Sequence, residues 1–226
     1  MWRRIGMAGW LQAAACVAAV LAGCQTDSYD KGQGAYSLMQ ADLCEMSVDG
    51  EKRATHFVTD DGEGYDFTVP VAAKWIATAD TTYRTLIYYN KVGDGRAQAV
   101  ALTAIVTMHP VAHWRFTELP QDPIGFESAW ISGSGRYLNV GLLMKTGRID
   151  GEELPHNVGL AQDTLYVRAD GRRTALYRLL HSQNGIPEYY TNRRYVSIRL
   201  PEPAPDTIRL SIRTYEGDIE RTLLKK

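Results

Sequence analysis

The stretch "DTIRLSIRTY", Asp206 to Tyr215, sets Ile208, Leu210 and Ile212 on one side of an extended chain and Arg209, Ser211 and Arg213 on the other. Successive side chains of a strand point to opposite faces, so an apolar period of two predicts a half-buried strand. Outward from it, "YVSIRLP" repeats the pattern with Val196, Ile198 and Leu200, and "YLNVGLLM" with Leu138, Val140, Leu142 and Met144. "AVALTAIVTM", Ala99 to Met108, is apolar at Val100, Leu102, Ala104 and Val106 and also at Ala101 and Ile105, which predicts a strand covered on both sides. Helical periodicity is nearly absent after Gly34. Only "PVAAKWIATAD", Pro70 to Asp80, has room for one turn or a short helix, because proline suits a first helical position.

The punctuation between these segments agrees. Asp-Gly occurs at residues 49–50, 61–62, 94–95, 150–151 and 170–171, and Asn-Gly at 184–185. Such pairs supply the positive φ angles of type I′ turns and mark hairpins. The chain therefore reads as all-β. Pro110, Pro120 and Pro123 interrupt the strand pattern, and prolines remove ladder donors. A linker is expected at 111–123, between a first region, 35–110, with about five strands, and a second, 124–226, with seven or eight. The first suits a small OB-like barrel and the second a β-sandwich.

The start of the chain has a different character. Arg3 and Arg4 precede an uncharged run that is mostly small and apolar, reaching Cys24, as in a secretory signal peptide. From Ile5 to Gly23 the run holds three glycines and Gln12, which is short and dilute for a bilayer-crossing helix. Leu21-Ala22-Gly23-Cys24 resembles the lipobox of bacterial lipoproteins. That likeness implies a signal peptide over 1–23, diacylglycerol and palmitate carried at Cys24, and, with Gln25 where aspartate would retain the protein in the inner membrane, an outer-membrane location. Anchorage through more than one acyl chain is stable where a single chain is marginal. Residues 24–34 then form the lipidated cysteine and a polar, glycine-bearing tether.

Of three cysteines, Cys16 leaves with the signal peptide and Cys24 is consumed by the lipid. Cys44 is left as a small buried apolar residue, and a Cys24–Cys44 disulfide is the alternative. The whole chain has a formal net charge of −1, and losing Arg3 and Arg4 leaves 23 basic against 26 acidic residues, a net −3. No basic face for nucleic acid is indicated.

No constellation declares a reaction. His109 and His113 are four apart, but Pro110 lies between them at the end of a strand, where that spacing does not converge on a metal. His56, His156 and His181 are isolated and read as surface or core histidines. "WISGSGR", Trp130 to Arg136, lacks the strand-to-helix setting of a nucleophile elbow and reads as a Gly-Ser hairpin loop. "DDGEGYD", Asp60 to Asp66, reads as a solvated turn, with calcium as the other reading. No catalytic, cofactor or metal residue is assigned. In the adjacent tyrosines Tyr88/Tyr89 and Tyr189/Tyr190, one member of each pair should lie outside the core, and exposed tyrosines suit interfaces.

Taken in order and spacing, "YSLMQADL", "FVTDDGEGYDFTVP", "LIYYNKVGDGRAQAVALTAIV", "ESAWISGSGRYLNVGLLMKTG", "HNVGLAQD" and "SIRLP" resemble the NigD-like lipoproteins of Bacteroidota. The resemblance covers most of the chain after Gly34. It implies an OB-type barrel followed by a β-sandwich, no catalytic residues to carry over, and a proposed role in bacteriocin immunity. The expected function is non-enzymatic binding at the envelope, with a bacteriocin, an envelope protein or a glycan as partner. The alternative is an enzyme of surface glycans whose site lies between the two domains.

Overall fold

Five strands of the computed structural model alternate buried and open positions around one small core: β1 (Gln40–Val48), β2 (Arg53–Thr59), β3 (Gly64–Ala72), β4 (Thr81–Gly93) and β5 (Arg96–Ala104). The structure describes residues 38–149, 151–152 and 155–225. The expected signal peptide, Cys24 and the tether lie outside the described residues. The strands close into a barrel in the order β1-β2-β3-β5-β4, antiparallel except where β3 meets β5 at Asp66–Arg96 and Phe67–Ala97. Closure removes free edges from a sheet this small. Phe57 sits at the centre of the core, its ring 5.2 Å from Tyr65, 5.1 Å from Phe67 and 5.0 Å from Tyr89.

Nine further strands make the second half: β6 (Val106–Met108), β7 (Val111–Ala112), β8 (Gly125–Ile131), β9 (Tyr137–Thr146), β10 (Asn157–Val167), β11 (Arg173–Ser182), β12 (Tyr190–Arg199), β13 (Thr207–Thr214) and β14 (Gly217–Leu224). They form a sheet ordered β14-β13-β11-β10-β7 and a sheet ordered β6-β12-β9-β8. Leu138, Val140 and Leu142 of β9 and Val196 and Ile198 of β12 meet Leu160, Tyr177, Ile208 and Leu210 between the sheets. The fold is thus all-β, a small OB-like barrel followed by a β-sandwich. Barrel and sandwich belong to one compact unit, Met39–Lys226.

Several expectations are corrected. Val106–Met108, placed within 35–110 by the prolines, pairs with β12 of the sandwich, and Val111–Ala112, placed in the linker 111–123, pairs with β10. Pro110 separates two very short edge strands, one in each sheet, and an edge position tolerates a missing ladder donor. Pro70–Asp80 ends β3 and makes a turn closed by Ile76 N–H to the Ala73 carbonyl, with no helix. Positive φ at both turn residues occurs only at Asn184 (53°) and Gly185 (70°) among the described Asx-Gly pairs, and that turn joins strands of different sheets. At residues 61–62, 94–95 and 170–171 the glycine alone is left-handed, as in a type I turn closed by a bulge.

Cys44 is fully buried and free in the barrel core, and burial pushes its thiol up to about 12. The protonated thiol is the nucleophile's dormant form, so native protein at pH 8 should leave Cys44 unreacted with an aromatic disulfide reagent, and unfolded protein should react at once. The raised value also means that this residue's contribution is complete below the unfolded thiol value and falls as pH rises through it. Rapid native labelling would contradict the burial.

Candidate functional site

The barrel rests on the outer face of the β6-β12-β9-β8 sheet, and the residues that seat it are polar. Arg84 of β4 is buried, with its side chain 3% exposed. Its Nη2 donates to Asp60 Oδ2 at 2.6 Å and to Asn139 Oδ1 at 3.0 Å, and its Nε donates to Ser197 Oγ at 3.0 Å. Asn139 Nδ2 donates to the same Asp60 oxygen at 2.8 Å, and Ser197 Oγ donates to Asn139 Oδ1 at 2.8 Å. The guanidinium lies 4.2 Å from the centre of the Tyr137 ring, whose hydroxyl donates to Glu45 at 2.6 Å. Burial first, and that hydrogen bond second, hold the Tyr137 hydroxyl above its ordinary value.

This network explains "WISGSGR" and "DDGEGYD" together. The β8–β9 loop docks on the β2–β3 turn, with Ser134 N–H donating to the Asp60 carbonyl at 3.0 Å. A Cβ on Gly133 would stand 2.9 Å from that carbonyl oxygen, so only glycine lets the two backbones approach this closely. The Gly-Ser loop is a docking loop between the two halves. Nor do the acids of Asp60–Asp66 converge on a cation: Asp60 pairs with Arg84, Glu63 with Lys91 at 3.0 Å and Asp66 with His56 at 2.8 Å. Among the described residues no group of three or more His, Cys, Asp or Glu is placed to hold a metal.

Beside the seat runs a trench. One groove, about 630 Å³, is lined by Ala41, Asp42 and Leu43 at the start of β1, by Asp60 and Asp61, by Trp130 and Ile131 of β8, and by Leu223 and Leu224 at the end of β14. A second, about 670 Å³, is lined by Thr103 to Val106, Pro155 to Val158 and Arg193 to Val196. Leu86, Tyr88 and Tyr195 line both, so the two grooves meet beneath β4. Tyr195 lies on the sheet opposite Gly141 in the β12–β9 register. A Cβ on Gly141 would stand 2.7 Å from Ser128 Oγ and 3.2 Å from the Tyr195 ring, so the missing side chain makes room for the aromatic floor. Trp130 meets Tyr195 edge to face at 6.1 Å. The first mouth carries Asp42 and Asp61 and the second Arg193 and Arg194. Asp42 accepts a 2.9 Å hydrogen bond from Tyr89, whose hydroxyl is held above its usual range by burial first and this bond second.

Of the tyrosines singled out in the sequence, Tyr89 is core and Tyr88 faces the trench, while Tyr189 and Tyr190 are both exposed. His156 and His181, isolated in the sequence, are brought together: His156 Nδ1 and His181 Nε2 are 2.8 Å apart, and His181 Nδ1 donates to the Asp122 carbonyl at 3.1 Å. His156 directly precedes β10 and His181 lies on β11, which pairs with it, so their separation of 25 residues left no local signal. His109 is exposed and His113 lies in a single 3-10 turn, His113–Arg115. No helix among the described residues is long and apolar enough to cross a membrane.

No protein-family model matches the chain. No curated protein sequence matches it either. Solved structures do. A NigD-like immunity protein from Bacteroides caccae is 24% identical with a TM-score of 0.65, covering 80% of this chain and 91% of its own. A candidate lipoprotein from Bacteroides fragilis is 14% identical with a TM-score of 0.61, covering 83% and 98%. A protein of unknown function from Bacteroides vulgatus is 15% identical with a TM-score of 0.56, covering 82% and 90%. The chain has the fold of these proteins.

Proposed function

We propose that the chain is a non-enzymatic lipoprotein, anchored in the outer membrane through Cys24, that works by binding an elongated ligand in the trench between barrel and sandwich. The observation that carries this reading is the aromatic lining, Tyr88, Trp130 and Tyr195, held open by Gly141 and continuous between two grooves. Rigid aromatic side chains give large contact area at low entropic cost, which suits recognition. The polar groups nearest the seat, Asp60, Asn139, Ser197 and Arg84, bond to one another across the join of the two halves, with only Arg84 Nη1 left over among their described hydrogen bonds, so they serve the docking of the halves. Leu21-Ala22-Gly23-Cys24 and the fold shared with a candidate lipoprotein support the anchor. The fold shared with a NigD-like immunity protein favours bacteriocin immunity as the specific role, with a bacteriocin or an envelope protein as partner and a glycan as the other ligand class.

The test is complementation of a deletion strain challenged with bacteriocins from related strains. Wild type should restore resistance. Cys24→Ala should leave an unprocessed precursor that takes up no labelled fatty acid, and Trp130→Ala/Tyr195→Ala should reach the membrane yet fail to protect. Full protection by the double variant would remove the trench from the function. Turnover of an envelope glycan by the purified protein, abolished by Asp61→Asn, would replace binding with catalysis.

A further inference from the structure

The second groove follows one strand where its neighbour stops. Arg193, Arg194, Tyr195 and Val196 are consecutive, their side chains alternate between the two faces of the sheet, and all four line it. These residues lie where β12 runs past the end of β6, which pairs with it only from Val196 on. The register shows what that edge offers. Leu200 N–H donates to the Arg136 carbonyl at 2.9 Å, in step with the β12–β9 ladder, so even-numbered residues of β12 exchange hydrogen bonds with β9. The odd-numbered residues turn their N–H and C=O groups the other way. Ser197 meets β6 there, but β6 pairs only with Val196 to Ile198. At Ile105 the chain leaves this sheet for the barrel, where Ile105 N–H donates to the Arg84 carbonyl at 2.9 Å. Among the described residues no strand pairs with Thr191 and Arg193 on that side.

A second observation points to the same place. Ala99 to Met108, apolar on both faces by sequence, is largely open: Val106 is 64% exposed and Val100 36%, and Ala101 and Ala104 are also exposed. Thr103 to Val106 form the wall opposite the β12 edge. Arg194, on that edge, is exposed and has no ion pair among the described residues, whereas Arg193 is tied to Glu127 at 2.6 Å.

We infer that this groove takes an extended polypeptide segment of a partner, which pairs as an added strand with Thr191 to Tyr195, sets apolar side chains against Ala104 and Val106, and places a carboxylate at Arg194. Five residues of β12 give a contact about 17 Å long. Main-chain bonds supply the affinity and the alternate side chains the selectivity, as in strand addition generally. The inference rests on the trench reading and specifies its occupant at the basic mouth.

The probe is a six-residue capped peptide of alternating valine and glutamate, beside the same peptide with lysine for glutamate. Amide hydrogen exchange is followed by NMR on the full chain in detergent micelles. The glutamate peptide at millimolar concentration should slow exchange at Arg193 by about tenfold or more, and the lysine peptide should not. Thr191→Pro removes an outward N–H while leaving the ladder to β9 intact, and it should abolish the effect with the melting transition retained. Should that variant not fold, Arg194→Glu reverses the charge and should transfer protection to the lysine peptide. No protection, equal protection by both peptides, or protection surviving in folded Thr191→Pro overturns the inference. Slow exchange that needs no peptide and grows with protein concentration also overturns it, assigning the edge to a second copy. None of these outcomes touches complementation by the trench variants, so the edge can fail while the trench stands.

Discussion

Arg84→Met should cost about 3 to 5 kcal/mol of folding stability, because removing one partner of a buried ion pair strands the other. Asp60, with its side chain 15% exposed, would keep only the neutral Asn139 amide as a side-chain donor, and Ser197 Oγ would lose its guanidinium. The barrel should then loosen from the sandwich, so urea unfolding should broaden or split into two transitions. The double variant Arg84→Met/Asp60→Leu should recover part of the loss, since no buried charge is then left unpaired, while Asn139 Nδ2 loses its Asp60 acceptor. Arg84 Nη1 has no hydrogen-bond partner among the described residues, so the wild-type network already leaves one buried donor unmet. A cost below about 1 kcal/mol for the single variant would mean that water reaches these charges.

Phe57→Ala should cost about 3 to 5 kcal/mol, the range for deleting a buried aromatic ring that leaves a cavity. The ring is fully buried and touches Tyr65, Phe67 and Tyr89 within a barrel of only five strands, so little else can move in to fill the space. Exchange should accelerate first across β1 to β5, with β8 to β13 retaining protection. Phe57→Leu keeps most of the volume and should cost under about 1.5 kcal/mol. Equal losses from the two substitutions would show that ring contacts, and not cavity volume, set the cost.

Alternation made the strands legible. Ile208, Leu210 and Ile212 and their counterparts in β9 and β12 lie inside, as their period of two requires. What alternation cannot report is which second layer covers the far face. In β9 Tyr137 and Asn139 are buried too because the barrel seats on them, and Gly141 because Tyr195 and Ser128 of the same sheet lie over it. In β5 the apolar residues of both faces remain largely open. The polar seat was hidden for a related reason. Arg84, Asp60, Asn139 and Ser197 come from four strands or turns spread over more than a hundred residues, and each looks like an ordinary outward-facing residue in its own segment. "WISGSGR" could be read as a loop, but the carbonyl that forbids a side chain at Gly133 belongs to the other half of the molecule. The trench is a property of two curved surfaces meeting, and its aromatic residues carry no local signature beyond strand periodicity.

Ala41 and Asp42 open the first strand, Leu223 and Leu224 close the last, and all four stand at the same acidic mouth. An affinity tag or fluorescent protein fused after Lys226 would start two residues beyond Leu224 at that opening, so a fusion that abolished protection should be tested for obstruction before misfolding is inferred. The β10–β11 hairpin tip at Asp170–Gly171 is exposed and lines neither groove. Exposed tips of small and polar residues accept insertions, which makes it the place to put a label while leaving both grooves clear.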